Sequence, residues 1–330
     1  MSVTVGIKAL NEGRNIARTL SSAVAAVAPM GGTVILADSG SIDDTVAIAQ
    51  TFPVRIVQLA NPAERCCGAG AQLAFQHADG DYFYILDGDM VLHPDFLKAG
   101  IAYLEAHPQC AAVGGIVNER NVDNEEFQIR AKAVRDDGHW SPGAVDRLDC
   151  GGLYRMAALR QVGYFADRNL HAFEEFDLAA RLRSRGWQMA RIDHPAVDHF
   201  GHTTGGYSLL MKRFRSGYAG APGEVLRGAI GHAHLSTVLT SLGHVRNGFA
   251  VMLWWLAIVV SLFTPARWLL LAILLLGPLA LLSLRRGSLR LGIYSLASWN
   301  VSALGLLTGL FRKRTSPDQP LGSIDLTANR

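Results

Sequence analysis

Four short runs rich in β-branched and aromatic residues, VTVGI (3–7), TVILA (33–37), VRIVQL (54–59) and YFYIL (82–86), punctuate the start of this chain. Each is apolar almost throughout rather than alternating, which is the pattern of a strand buried on both faces. Helical stretches lie between them. In NEGRNIARTLSSAVAAV, Ile16, Leu20, Val24 and Val27 recur at helical spacing and make one apolar face. SIDDTVAIAQTF opens with capping residues, and CCGAGAQLAFQHA supplies a third helix. Repeated strand–helix–strand units admit few folds. They predict an α/β domain with a Rossmann-like, mostly parallel sheet and helices on both faces.

In such sheets ligands collect outside the C-terminal ends of the strands. The polar residues gather there: Asn11 and Glu12 soon after the first strand, Asp38 and Ser39 after the second, Asp87 and Asp89 after the fourth. Side chains two apart at a strand end point the same way, so Asp87 and Asp89 can converge. Unpaired, they would repel each other and lose solvation. A hard divalent cation, Mg²⁺ or Mn²⁺, resolves both problems and leaves coordination sites open for phosphates. A solvated Asp-Gly-Asp turn is the plainer alternative. ADSGSIDDT (37–45) divides similarly. Ser41 or Asp43 can cap the next helix, while Asp38, Asp43 and Asp44 together could accept hydrogen bonds from a base or ribose.

A strand ending in KALNE, then ADSGSIDDT, then DGD resembles glycosyltransferase family 2, with its GT-A fold. The family pattern runs Pro-x-Tyr-Asn-Glu, Asp-Asp-Gly-Ser-x-Asp-x-Thr, Asp-x-Asp and a later Glu-Asp-x-Asp-Leu. The resemblance covers about residues 3–215. It departs from the pattern in KALNE and in Ser39, which replaces an acid. It implies that Ala9, Asn11 and Glu12 line the nucleotide, that Asp38 with Ser39 contacts the base (usually uracil), and that Arg65 assists before the third helix. Asp87 and Asp89 would hold the metal–diphosphate, Asp89 more directly.

HAFEEFDLAARLRSRGW (171–187) carries the next acids, at a helix start where the dipole favours them in any case. Direct displacement at an anomeric carbon needs a base for the acceptor hydroxyl's proton. EEFDL resembles Glu-Asp-x-Asp-Leu, which implies Glu175 as that base, with Glu174 the alternative and Asp177 holding the helix start. DCGGLYRMAAL (149–159) resembles the acceptor-side loop, where Gly151 and Gly152 would admit a sugar; a simple Gly-Gly turn is the alternative. In VDHFGH (197–202), His199 is a candidate third metal ligand, with His202 close by. MKRFRSGY (211–218) stands where processive relatives carry Gln-x-x-Arg-Trp. Its Lys212, Arg213 and Arg215 could neutralise diphosphate or meet lipid headgroups, and the missing motif points to single-sugar transfer.

Composition matters most at the other end. Segments 248–264, 268–284 and 291–310 are apolar and near the length needed to span a bilayer. Residues 224–246 ahead of them read as an interfacial helix, with Leu226, Ile230, Val238, Leu242 and Val245 on one side. The expected layout is therefore a catalytic domain over 1–215, an amphipathic linker over 216–247, two or three membrane helices over 248–310 and a polar tail over 311–330. Arg285, Arg286 and Arg290 place the catalytic domain in the cytosol by the positive-inside rule. Three full spans would then strand Arg312, Lys313 and Arg314 outside, so the third segment either spans or turns back. The four cysteines, Cys66, Cys67, Cys110 and Cys150, lack paired ligand spacing and fit a reduced, cytosol-facing domain. MSVTVGIKALNEGRN has no basic region or cleavage site to direct the domain across a membrane. Net charge is only +3, and no nucleic-acid partner is expected.

The expectation is an inverting, metal-dependent glycosyltransferase at the inner face of the cytoplasmic membrane, multi-pass, with membrane lipid among its partners. It would move a sugar from a UDP-linked donor to a lipid-linked or nascent glycan acceptor in exopolysaccharide or envelope-glycan synthesis. The alternatives are a sugar-nucleotidyltransferase, for which KALNEGRN is a poor phosphate loop, and a non-catalytic membrane subunit that binds nucleotide-sugar.

Overall fold

The computed structural model describes residues 1–120, 138–200 and 206–327. The chain divides into two compact units, one formed by Met1–Thr203 with Arg314–Arg330 and the other by Thr204–Lys313.

In the first unit, β1 (Val3–Ala9), β2 (Thr33–Asp38), β3 (Arg55–Leu59) and β4 (Tyr82–Asp87) form a parallel core in the spatial order β3-β2-β1-β4. These are the four apolar runs, and nearly every residue in β1 and β4 is buried. The sheet turns mixed beyond them. β8 (Gly152–Arg155) runs antiparallel between β4 and β6 (Cys110–Glu119), and β9 (Gln188–His199) runs parallel to β6. The short strand β5 (Met90–Leu92) pairs with the end of β9, and β7 (Gly143–Val145) with its start.

Two apolar clusters sandwich this sheet. On one face Val5, Ile7, Val34 and Leu36 pack with Ile16 and Leu20 of α1 (Ile16–Val27), Ala49 of α2 (Thr45–Ala49), and Phe96 and Leu104 of α4 (Phe96–Ala106). On the other, Ile35, Ala37, Phe83 and Ile85 meet Leu73 of α3 (Cys67–Gln76), Leu159 of α5 (Met156–Gln161) and Leu178 of α6 (Glu174–Ser184). Alternate residues of each central strand thus feed opposite faces, as a two-sided sheet requires.

The polar tail behaves differently from a loose extension. Residues from Arg314 rejoin the first unit, and β10 (Ser323–Asp325) adds an antiparallel strand outside β3. Leu321 is buried in the apolar cluster that holds Val57 and Leu59.

In the second unit the linker is broken rather than continuous. A helix over Ala221–Ala229 stops at an extended Ile230 and a left-handed Gly231, and another covers Leu235–Ser241. Leu226, Val238, Leu242 and Val245 are buried as the amphipathic pattern predicts, but Ile230 is exposed. Three long helices follow: Gly243–Ser261, Arg267–Arg286 and Leu289–Phe311. Each is long and apolar enough to cross a membrane.

Candidate active site

One strand-end acid, Asp87, and the two helix-start glutamates, Glu174 and Glu175, come together around a residue the motifs did not single out. Lys8 stands next to Asp87 in the β1–β4 register. Its Nζ lies 2.6 Å from Glu174 Oε1, 3.1 Å from Asp87 Oδ1 and 3.9 Å from Glu175 Oε1. One buried ammonium therefore joins the carboxylate at the end of β4 to the acidic start of α6. Burial works against its charge, but Asp87, Glu174 and Glu175 outweigh that and raise its pKa well above the ordinary lysine value. The signal for Lys8 was a lysine inside an otherwise apolar strand, at the place of the family pattern's proline.

The two glutamates are not equivalent. Glu174 is almost fully buried and held by Lys8. Glu175 stands farther from that ammonium, and burial together with the Glu174 charge lifts its carboxyl well above the usual range. Asp177 does not join them. Its carboxylate holds Arg181 at 2.8 Å, and Arg181 in turn donates to the carbonyls of Tyr164 and Phe165, so Asp177 fixes α6 against a neighbouring loop.

Beside them is the candidate metal end. Asp89 is buried, with Oδ2 3.5 Å from His199 Nε2, while His199 Nδ1 lies 2.8 Å from Glu119 Oε2. Burial opposes protonation of His199, but hydrogen bonding to Asp89 and Glu119 prevails and raises its pKa to about 9. Cys150 adds a third donor type, a thiol: the ligand atoms of Glu119, Cys150 and His199 lie within 4.8 Å of one another. Burial raises the Asp87 carboxyl too, with Lys8 pulling it down and Asp89 pushing it up. Two close carboxylates that repel each other, with an imidazole and a third carboxylate beside them, fit a divalent cation such as Mg²⁺ or Mn²⁺. Glu119 lies in no motif and was not expected, and Cys150, inside DCGGLYRMAAL, was not expected as a metal donor. His202 lies outside the described residues.

The nucleotide side is built on Asp38. This residue is fully buried, and its Oδ2 accepts from the amides of Gly40 and Ser41 at 3.0 Å and from Gln58 Nε2 at 2.8 Å. Its other oxygen, Oδ1, is buried with no partner among the described residues. A native fold rarely leaves such an atom orphaned, and a ligand N–H would satisfy it. Ser39 is buried beside it and donates its amide to Ala9, the last residue of β1. Asn11 stitches the two loops together, its amide donating to Ser41 Oγ at 2.8 Å and its Oδ1 accepting from Ile42 at 2.9 Å. Glu12 supplies the carbonyl that receives the first amides of α1, and its side chain accepts from Asn15 at 3.0 Å. Asp43 accepts locally from the amides of Gly13 and Thr45, the second of these at the start of the next helix. Arg65 is exposed one residue ahead of the α3 cap.

Backbone geometry marks the same places. Among the described residues, left-handed non-glycine backbones occur at Asn11, Cys150 and Phe173, each adjoining a candidate site residue. Gly151 has φ +92°, and a Cβ there would sit 3.0 Å from the Tyr84 hydroxyl, so the turn into β8 requires glycine. Gly152 follows as the first residue of β8, paired to Ile85. At Gly88 a Cβ would strike Glu12 Cγ at 2.8 Å, which keeps the spacer of Asp87-Gly88-Asp89 small. Arg213 belongs to the second unit, where its guanidinium lies over the Tyr218 ring.

Comparison with known proteins bears on this arrangement. Residues 4–163 match the model of Glycosyl transferase family 2. Putative glycosyltransferase EpsE of Bacillus subtilis (strain 168) is 27% identical over 188 residues, which make up 53% of this chain and 65% of EpsE. Glucomannan 4-beta-mannosyltransferase 2 of Arabidopsis thaliana is 30% identical over 118 residues, 33% of this chain and 21% of its own length. The chain thus spans less than two thirds of either relative. Among solved structures, mannosyltransferase PcManGT from Pyrobaculum calidifontis, in complex with GDP-Man and Mn²⁺, is similar with a TM-score of 0.63 at 18% identity, over 94% of this chain and 87% of that one. S. aureus TarS 1-349 in complex with UDP-GlcNAc gives 0.53 at 15% identity, over 93% and 91%. The strand-end acids, the mixed sheet and these likenesses agree: the chain carries a glycosyl transferase family 2 domain, residues 4–163, on a GT-A-like fold.

Proposed function

We propose that the protein is an inverting, metal-dependent glycosyltransferase that takes a sugar from a nucleoside diphosphate donor and passes it to a hydroxyl of a lipid-linked or nascent glycan. The observation that carries this reading is the Lys8 junction. It brings the donor-side carboxylate Asp87 and the acceptor-side pair Glu174–Glu175 around one ammonium. A module that only bound nucleotide would have no use for a second, raised carboxylate there.

Asp38 Oδ1 would accept an N–H of the base, with Gln58 fixing the carboxylate's other oxygen. Asp89 and His199 would hold a divalent cation, with Asp87 alongside and Glu119 orienting the imidazole. When bound, such an ion neutralises charge developing on a departing diphosphate. Glu175 is the proposed base: one carboxylate oxygen takes the proton of the acceptor's hydroxyl as the hydroxyl oxygen bonds to the anomeric carbon and the sugar–diphosphate bond breaks, the diphosphate leaving with the bonding electron pair. Lys8 holds Glu174 in place at 2.6 Å and stands 3.9 Å from Glu175, which leaves Glu175 as the carboxylate free to face the acceptor. Attack opposite the leaving diphosphate inverts the anomeric centre.

A UDP-linked sugar is the donor first proposed, from the place of Asp38 in the family pattern. GDP-mannose is the second reading, favoured by GDP-Man in the PcManGT structure and by the glucomannan mannosyltransferases among the relatives. We propose that the helices of the second unit hold the domain at the inner face of the cytoplasmic membrane, within exopolysaccharide or envelope-glycan synthesis; their length and apolar composition support the membrane part. The test is nucleotide release by the full chain with membrane extract, screened over UDP- and GDP-sugars with Mg²⁺ or Mn²⁺. Release of one nucleotide, stopped by EDTA and restored by metal, is expected; release of neither, or full activity in EDTA, defeats the reading.

A further inference from the structure

We infer that the helical unit crosses the bilayer an even number of times, so that its three long apolar helices do not all span and residues 314–327 lie on the same side as the catalytic sheet. The inference rests on the membrane reading just proposed, and it follows from where the chain goes afterwards. It leaves the first unit after Thr203, runs through all three helices, and re-enters the first unit at Arg314.

The return is built into the fold. β10 pairs with β3 through Ser323–Leu59, Ile324–Gln58 and Asp325–Val57. On either side of it, Ala60 donates to the Gly322 carbonyl and Leu326 to the Ile56 carbonyl, both at 2.9 Å. Gln76 clasps Leu321 twice, accepting from its amide at 2.8 Å and donating to its carbonyl at 3.0 Å. Arg168, itself buried, donates to the carbonyls of Gln319 and Pro320 at 2.8 and 3.0 Å. Arg314 pairs with buried Asp167. Leu321 is 2% exposed.

These are contacts of about 3 Å, and a hydrocarbon core is about 30 Å thick. A tail on the far side of a bilayer could make none of them. Both ends of the helical unit therefore open on one side, and the number of crossings between them is even. Charge agrees. With three spans, Arg312, Lys313 and Arg314 would lie opposite the catalytic domain; with an even number they share its side, as the positive-inside rule favours.

The experiment uses the full chain in sealed cells, with a reporter cysteine at exposed Ser21 on α1 or at exposed Ser316 in the tail. Labelling by a membrane-impermeant maleimide polymer is read as a band shift beyond that of the parent chain. The two reporters should be protected together in intact cells and labelled together after permeabilisation. A tag at each terminus, probed by protease before and after permeabilisation, gives the same comparison without cysteine. Opposite behaviour of Ser21→Cys and Ser316→Cys, or of the two tags, overturns the inference. Release of the chain by a high-pH wash would defeat the membrane reading alone, because the two ends would still behave alike.

Discussion

At the scale of single residues, the site turns on which carboxylate is free to accept a proton. Glu175→Gln keeps the size of the side chain but not its basicity, and loss of a general base costs about 10²–10⁴-fold in rate. Nucleotide binding, read by thermal shift with UDP or GDP, should survive that change. Burial and Glu174 hold the Glu175 carboxyl well above its usual range, and only its ionised form can act as a base. The rate should therefore fall as pH drops through that raised value, at a higher pH than an ordinary carboxylate would give, and Glu175→Gln should flatten the limb. Lys8 carries the companion prediction. Lys8→Met should harm the protein, because it removes the ammonium that pairs with the buried Glu174 while leaving the strand backbone intact. Breaking a buried pair this way costs about 3–5 kcal/mol, readable as a lowered denaturation midpoint, and Lys8→Arg should recover part of it. The strand-end acids and the EEFDL helix were legible because each lies in a motif with fixed spacing. The Glu119–His199 and Gln58–Asp38 contacts were not, since each joins residues from distant parts of the chain that only the sheet register brings together.

Whole elements show the same division. The four parallel strands were readable because central strands are continuous apolar runs and the helices between them show a single apolar face. The tail was not: SPDQPLGSIDL has two prolines and few apolar residues, and its three-residue strand exists only because the edge of β3 offers unpaired backbone groups. The linker misled for a local reason, since its apolar spacing is helical but Gly231, with φ +83°, breaks the helix. β10 also bears on the proposed nucleotide side, because its partner Gln58 is a residue that holds Asp38. A truncation after residue 246 that spares every motif should therefore lose stability and weaken nucleotide binding. Leu321→Ala is the finer probe. Emptying a buried leucine site costs about 2–5 kcal/mol, so this variant should unfold earlier while Ser316→Ala does not. An unchanged midpoint would mean that the tail adds nothing to the sheet.

For the whole molecule, the proposed division of labour is between a sheet that does the chemistry and a helical unit that meets lipid. Leu253, Leu276, Leu281 and Leu284 are more than half exposed, which water would not tolerate as a continuous patch. A charge on that surface should weaken retention in the membrane. Arginine near the centre of an inserted helix costs roughly 2.5–3.5 kcal/mol, so Leu276→Arg should lower the fraction of chain that resists a high-pH wash, and Leu276→Phe should not. Equal retention of the two would place Leu276 away from lipid. The return of the chain at Arg314 has a consequence for how the protein is made. The ribosome delivers residues 1–203 first, then three greasy helices, and only afterwards the strand that closes the edge of the sheet. Until then the Leu321 site stands open and Gln58 lacks its neighbour. The sheet is therefore completed only after the three helices have been synthesised, which under the proposed membrane reading ties completion of the candidate nucleotide side to arrival at the membrane.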